Sequence, residues 1–229
     1  PSKGFRRLKL DNTSISICNI AFNNRHERQV QIECLNNIAH LHPEIPQKNG
    51  KKRIILVRHG ETDWNKEGRF QGQINIPLNA KGKEQANSAS KYLKGLKFNK
   101  AFSSSMDRPY ETAEIILKNQ RNLKIIKVYE LVEISHGLWE GKLDSEISEE
   151  WPEMLKAWHK EPEKVLMPEG ESIQQVSERS IKAWNSICKS QKKNDITLLV
   201  AHDAVNKTII CNILGLNYSD IWKIKQGNG

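Results

Sequence analysis

From residue 53 onward, short apolar runs alternate with longer amphipathic ones, and this alternation constrains the chain more than anything else in it. Arg53–Val57 has the length and apolar character of a buried strand. Gly82–Leu93 follows as a helix with Ala86, Ala89 and Leu93 on one stripe. Lys97–Phe102 and Leu123–Val128 read as further strands, with a helix over Arg108–Leu117 between them. Pro109 sits early in that helix, where its missing N–H costs nothing. Ser172–Ser190 is a long helix, Ile196–Ala201 a strongly apolar strand and Ala204–Leu214 a closing helix. Strands joined through helices predict an α/β fold: a three-layer α/β/α sandwich around a mostly parallel sheet. Residues 134–170, rich in Trp, Glu, Pro and Gly, are expected to form a lid-like excursion with short helices.

The first 42 residues follow a different pattern. Ser14–Phe22 and Gln29–Leu35 read as two strands around a polar turn at Asn23–Glu27. A lone hairpin is unstable, so it is expected to pack on the rest of the chain. Residues 43–52, with prolines, a glycine and a basic run, read as a linker, and 53–229 as the catalytic domain. Phe5–Asn12 also resembles Ile221–Asn228 in its order of apolar, basic and Asn positions. That match is either chance or the trace of two tandem copies.

The polar residues at the strand ends carry the chemistry. Residues just past the carboxyl ends of parallel strands face the ligand crevice. Arg58 and His59 end the first apolar run, and Gly60 permits a tight bend behind them. Arginine offers a planar fork to a phosphoryl group and neutral histidine a nucleophilic nitrogen. An Arg-His pair at a strand end also fits a purely structural hydrogen bond. His202 and Asp203 end the run Ile196–Ala201, where a polar pair stands out. His202 suits either hydrogen bonding to phosphoryl oxygens or holding the tautomer of His59. Arg108 opens a helix after Ser103–Ser105 and supplies a second arginine, or Ser105 or Asp107 is simply that helix's cap. Glu133 follows the fourth strand and is the candidate proton donor, with His136 as a second donor. A plain surface glutamate is the alternative reading.

In order along the chain, these residues resemble the motifs of the histidine phosphatase superfamily, also called phosphoglycerate mutase-like. The first is Leu56-Val57-Arg58-His59-Gly60-Glu61-Thr62-Asp63-Trp64-Asn65. Gly68–Gly72, Pro77-Leu78 before Gly82, Ser103–Arg108 and Glu111–Ala113 follow. Glu133–Gly141, Pro168–Ser172 and Val200–His202 complete a resemblance that covers residues 53 to about 224. It implies that His59 is the phosphorylated nucleophile and that Arg58, Arg108 and His202 form the phosphate pocket. It implies Glu133 as proton donor and later base, Asn65 near the phosphate, and Thr62, Gln71 and Gly72 on the substrate side. No metal and no cofactor are implied, because arginines and histidine supply the positive charge. The chain departs from many members at Asp203-Ala204, where they carry two glycines, and is there similar to plant and cyanobacterial members. Asp203 is expected at the pocket edge or as a helix cap. Trp139, Trp151 and Trp158 are expected to shape substrate choice.

Segments similar to the family's C-terminal tail stand at the front instead, in Asn12–Ile17 and Cys34–Leu41. The leading hairpin is therefore expected to complete the sheet or to swap into a neighbour, as a fragment of a tandem protein or a permutation.

The resemblance implies a phosphomonoester hydrolase acting on a small phosphorylated metabolite through phosphohistidine. Phosphoserine, phosphoglycerate, sugar phosphates and a nucleoside-like cofactor precursor are the substrate candidates. A mutase is the rival reading, but family mutases resemble Asn-Glu-Arg-His-Tyr-Gly where this chain has Val132–Gly137. A non-catalytic binding module is the third reading, and the intact nucleophile argues against it. The formal charge of +9 fits steering of small anions. Basic residues are interleaved with acidic ones, so no nucleic-acid partner is expected. No apolar run approaches about eighteen residues and no leader-like segment opens the chain, so no membrane partner is expected. Four scattered cysteines without a paired spacing are expected to be reduced thiols in the cytoplasm. A dimer or strand-swapped oligomer is the remaining partner expectation.

Overall fold

The computed structural model describes residues 13–22, 28–37, 45, 51–120 and 122–228. The first copy of the repeat, the turn at 23–27 and most of the linker lie outside the described residues. Two antiparallel strands, β1 (Ile15–Phe22) and β2 (Arg28–Asn37), form a sheet of their own. The main sheet contains β3 (Arg53–Arg58), β4 (Lys100–Ser104), β5 (Ile125–Val128) and β6 (Ile196–Ala201). Its order is β3-β6-β4-β5 and every pairing is parallel.

β6 lies between β3 and β4, and its side chains feed both faces. Leu198 and Val200 pack with α2 (Ala80–Tyr92) and α3 (Asp107–Ile116) through Leu93, Ala113 and Ile116. Leu199 and Ala201 pack with α6 (Ile173–Ser190) and α7 (Asp203–Leu214) through Val176, Ile187, Val205 and Ile209. This two-sided burial explains why Ile196–Ala201 is apolar at every position except Thr197. The α/β sandwich expected from the alternation is the fold observed, and all four strands end toward one crevice.

Several boundaries move for local reasons. β4 starts at Lys100 instead of Lys97, because Leu96 turns back on Leu93 and the Phe98 amide donates to the Gln120 side chain. β5 starts at Ile125 because the Leu123 amide closes a turn on Gln120. A five-residue helix, α1 (Asp63–Glu67), is capped reciprocally by Thr62 and Asn65 and stops at Gly68 in the left-handed region. Neither Ser105 nor Asp107 caps α3. Its N-cap is Met106, and the Asp107 amide donates instead to Asn75 Oδ1 at 3.0 Å.

The excursion at 134–170 contains α4 (Asp144–Glu150) and α5 (Pro152–Lys160). Trp139, Ile147, Leu155, Trp158 and Met167 bury it in the same core as α6 and α7, so it is a fixed wall of the crevice. The leading hairpin does not join the main sheet among the described residues. β2 instead meets the C-terminal segment, with Ile32 bridging Ile224 and the Lys225 amide donating to the Ile32 carbonyl at 3.0 Å. Among the described residues, no helix is long and apolar enough to cross a membrane.

Candidate active site

His59 stands one residue beyond β3, and its amide still donates to the Ala201 carbonyl at 3.0 Å, which fixes its backbone to the end of β6. Its Nδ1 lies 2.7 Å from the Gly60 carbonyl. A carbonyl only accepts, so Nδ1 carries the hydrogen and Nε2 keeps the lone pair. Arg108 Nε points at that Nε2 from 3.2 Å. Burial, then the Arg108 and Arg58 charges, hold the imidazole pKa well below its ordinary 6.5. The ring is therefore neutral near pH 7, with its nucleophilic nitrogen facing a guanidinium.

A close backbone crossing supports this geometry. A Cβ on Gly60 would fall 2.4 Å from the Gly82 carbonyl oxygen, and one on Gly82 would fall 2.1 Å from the Glu61 carbonyl oxygen. Only glycines let the loop after β3 cross the first turn of α2 at this distance. The Gly60 amide donates to Thr112 Oγ1, which itself donates to the Arg108 carbonyl, tying the His59 loop to α3.

Arg108 is fully buried. Its Nη1 donates to the Ile74 carbonyl at 3.0 Å and its Nη2 to the Gly72 carbonyl at 2.7 Å. Burial lowers its pKa to about 10, so it remains a cation near neutrality. The loop offering those carbonyls is shaped by Glu140, whose carboxylate accepts the amides of Gln73, Ile74 and His136.

His202 is also fully buried, with ring centroid 5.2 Å from that of His59. Its Nε2 pairs with Ser104 Oγ at 2.9 Å, while its Nδ1 has no partner. No hydrogen bond joins the two histidines, so the Gly60 carbonyl, and not His202, sets the tautomer of His59. Arg58 donates to the Gln226 carbonyl at 3.0 Å and lies 3.5 Å from Asp203, while its Nε is unpartnered. Asp203 does not cap α7, whose N-cap is His202; it pairs with Lys207 at 2.7 Å.

Glu133 is 8% exposed, and its carboxyl oxygens accept the Ile134 amide at 2.9 Å and the Ala204 amide at 3.4 Å. Burial, then the Asp203 charge, raise its pKa above the ordinary carboxyl value. A carboxyl with a raised pKa thus faces an imidazole with a lowered one across a cavity of about 330 Å³. Two wider grooves, of about 970 and 940 Å³, are lined by no histidine, although the second touches Arg58 from the side of α2.

Arg58, His59, Asn65, Gln71, Gly72, Arg108, Glu133, His136 and Asp203 all line the smaller cavity. Thr62 does not. It is fully buried, accepting the Asn65 amide and donating to Gln71 Oε1, so it orients Gln71 from behind. His202 is likewise fully buried and absent from the lining, with its Nδ1 left unpartnered. His136 is no proton donor near neutrality, because burial drives its pKa to about 3. Of the three tryptophans expected to shape substrate choice, only Trp158 reaches the cavity, and Trp222 joins it there. Trp139 is a core side chain.

The sequence motifs contain Ser104, Thr112 and Glu140 but give them no role, and nothing in the sequence marks Trp222 for the site. Strand parity from Phe102 could have aimed Ser104 at the site; the other three act through contacts distant in sequence. Among the described residues, no group of three or more His, Cys, Asp or Glu side chains is placed to hold a metal ion.

Residues 54–229 match the model of the histidine phosphatase superfamily (branch 1). The chain is 34% identical over 176 residues to phosphoserine phosphatase 1 of Hydrogenobacter thermophilus, covering 77% of this chain and 82% of that one. It is 32% identical over 187 residues to the 2-carboxy-D-arabinitol-1-phosphatase of Triticum aestivum, covering 81% of this chain but only 37% of that longer protein. Among solved structures, YhfR of Bacillus stearothermophilus superposes with a TM-score of 0.73 at 31% identity, over 78% of this chain and 87% of that one.

Proposed function

Because the chain belongs to the histidine phosphatase superfamily, branch 1, we propose that it hydrolyses phosphomonoesters of small metabolites in two displacements on His59. The observation that carries this reading is the His59 ring itself, with its hydrogen held on Nδ1 by Gly60 and its Nε2 lone pair aimed at Arg108.

In the first displacement His59 Nε2 attacks phosphorus, a P–N bond forms and the ester P–O bond breaks. Arg58 and Arg108 carry the charge on the equatorial oxygens, and His202 donates through its unpartnered Nδ1. Ser104 favours that tautomer by donating its hydroxyl hydrogen to His202 Nε2. Glu133 gives its proton to the departing alkoxide. In the second displacement the Glu133 carboxylate takes a proton from water, whose oxygen attacks phosphorus. The P–N bond breaks, phosphate leaves, and both residues return to their starting protonation states.

Asn65 lies near the phosphate, and Gln71, Gly72, His136 and Asp203, which line the same cavity, face the alcohol portion. The small cavity supports a compact alcohol, and the phosphoserine phosphatase among the relatives makes phosphoserine the first substrate to try. All four cysteines are free thiols, which supports a reducing compartment such as the cytoplasm.

The test is phosphate release from phosphoserine, 3-phosphoglycerate, sugar phosphates and a nucleoside-like phosphate, each assayed also for isomerised ester. Release without isomerisation is expected, with a loss of about 10³-fold or more in His59→Ala. Isomerised phosphoglycerate with little release would instead make the protein a mutase. Near-normal turnover by His59→Ala would remove the nucleophile from the account.

A further inference from the structure

Arg179 lies on α6, outside the cavity lining, yet all its donors converge on the segment that carries Glu133. Nε and Nη2 form a fork on Glu171, each at 2.8 Å. Nη1 donates to the Glu130 and Val132 carbonyls at 2.9 and 2.6 Å, and Nη2 donates to the Glu133 carbonyl at 3.0 Å. A guanidinium has five N–H groups, and every one is engaged here.

Glu171 completes the grip from the other side of Glu133. Its Oε2 accepts the Ser135 amide at 2.9 Å, and its own amide donates to the Ser135 carbonyl at 2.9 Å. Gln73, from the loop that shapes Arg108, donates its side-chain amide to the Glu133 carbonyl at 2.9 Å. The backbone is therefore held on both sides of Glu133. The Arg179 and Glu171 side chains are each about one-fifth exposed, 18% and 22%. A pair buried this far is weak evidence of net stability, although removing either partner strands the charge of the other, and what distinguishes it is where it points.

We propose that Arg179 and Glu171 act as a clamp that sets the position of the Glu133 carboxyl, making them positioning residues for proton transfer to the leaving group. This rests on Glu133 being the proton donor. The fork geometry is essential: lysine keeps the charge but has a compact ammonium with no planar fork, so it cannot hold Glu171 and three carbonyls together. A carboxyl displaced by about 1 Å forfeits up to about 10²-fold in rate.

Leaving-group dependence tests this, because a phenol as acidic as p-nitrophenol needs little protonation and an alkyl alcohol needs much. The readout is kcat/KM, which reports transfer to the enzyme and not the later hydrolysis. Arg179→Lys and Glu171→Gln are compared with wild type and with Glu133→Gln, using phosphoserine and p-nitrophenyl phosphate, with thermal unfolding recorded for each. In Glu133→Gln the ratio of phosphoserine to p-nitrophenyl phosphate kcat/KM is expected to collapse. Arg179→Lys should lower the same ratio by about 10- to 100-fold. If Arg179→Lys does not fold, Glu171→Gln carries the same expectation. A ratio unchanged in the folded clamp variants, while Glu133→Gln lowers it, overturns the clamp alone. A ratio unchanged in Glu133→Gln overturns the role of Glu133, and the clamp with it.

Discussion

At the scale of single residues, the proposed mechanism depends on two groups whose pKa values are moved in opposite directions. His59 is pushed below 6.5 by burial and by two arginines, which favours the neutral nucleophile. Glu133 is pushed above the ordinary carboxyl value by burial and by Asp203, which favours the protonated donor. The sign of the pH dependence follows. The reactive form has His59 without its second proton and Glu133 with its proton. Lowering the pH from neutrality does not protonate His59 until well below 6.5, so no limb appears at the ordinary histidine value. Raising the pH through the Glu133 pKa removes the donor, so kcat/KM for an alkyl phosphate falls on the alkaline side. Glu133→Gln should lose that limb, leave only the ionisation of the substrate, and fall about 10²- to 10⁴-fold at the optimum. An identical pH profile in the variant would contradict the assignment. The cavity residues were legible because motifs at strand ends are local in sequence. Thr62 reads as a substrate contact in sequence because nothing there reveals that its hydroxyl also donates to Gln71. Arg179 is invisible in sequence for a related reason, since its five hydrogen bonds reach four residues that lie 8 to 49 positions away.

At the scale of elements, the site depends on how closely the loop after β3 crosses the start of α2. Gly60 and Gly82 meet backbone to backbone, where no side chain can yield. Gly82→Ala should therefore destabilise the fold by about 1–3 kcal/mol even though alanine is the better helix former. Thermal unfolding checks this, and an unchanged or raised midpoint would mean that the crossing relaxes at no cost. β6 and the long α6 were legible because one is a continuous apolar run and the other strongly periodic. β4 and β5 start later than the apolar runs suggest because Gln120 turns the preceding chain away, through its side chain before β4 and its backbone carbonyl before β5. α1 escaped notice because five residues are too few for a periodic pattern, although its Thr62–Asn65 box was present in the sequence. The excursion at 134–170 reads as a lid from composition, but its tryptophans and aliphatics bury it in the main core.

At the scale of the whole molecule, a four-stranded parallel sheet brings four strand ends to one crevice and gives each a distinct task. β3 presents Arg58 and the proposed nucleophile His59, β4 ends at Ser104 and leads to Arg108, β5 leads to Glu133, and β6 delivers His202. The fold class was legible because strand and helix alternate. The hairpin's place was not, because pairing between distant strands is set by tertiary contacts: β2 meets Ile224 and Lys225 at the other end of the chain. The assembled site makes one claim that the intact enzyme can answer, that phosphate passes through His59 and is not taken directly by water. The measurement is the stereochemical course at phosphorus for a phosphomonoester made chiral with oxygen isotopes and sulfur. Each in-line displacement inverts the configuration, so two displacements predict overall retention. Overall inversion would mean a single direct attack by water and would contradict the phosphohistidine account.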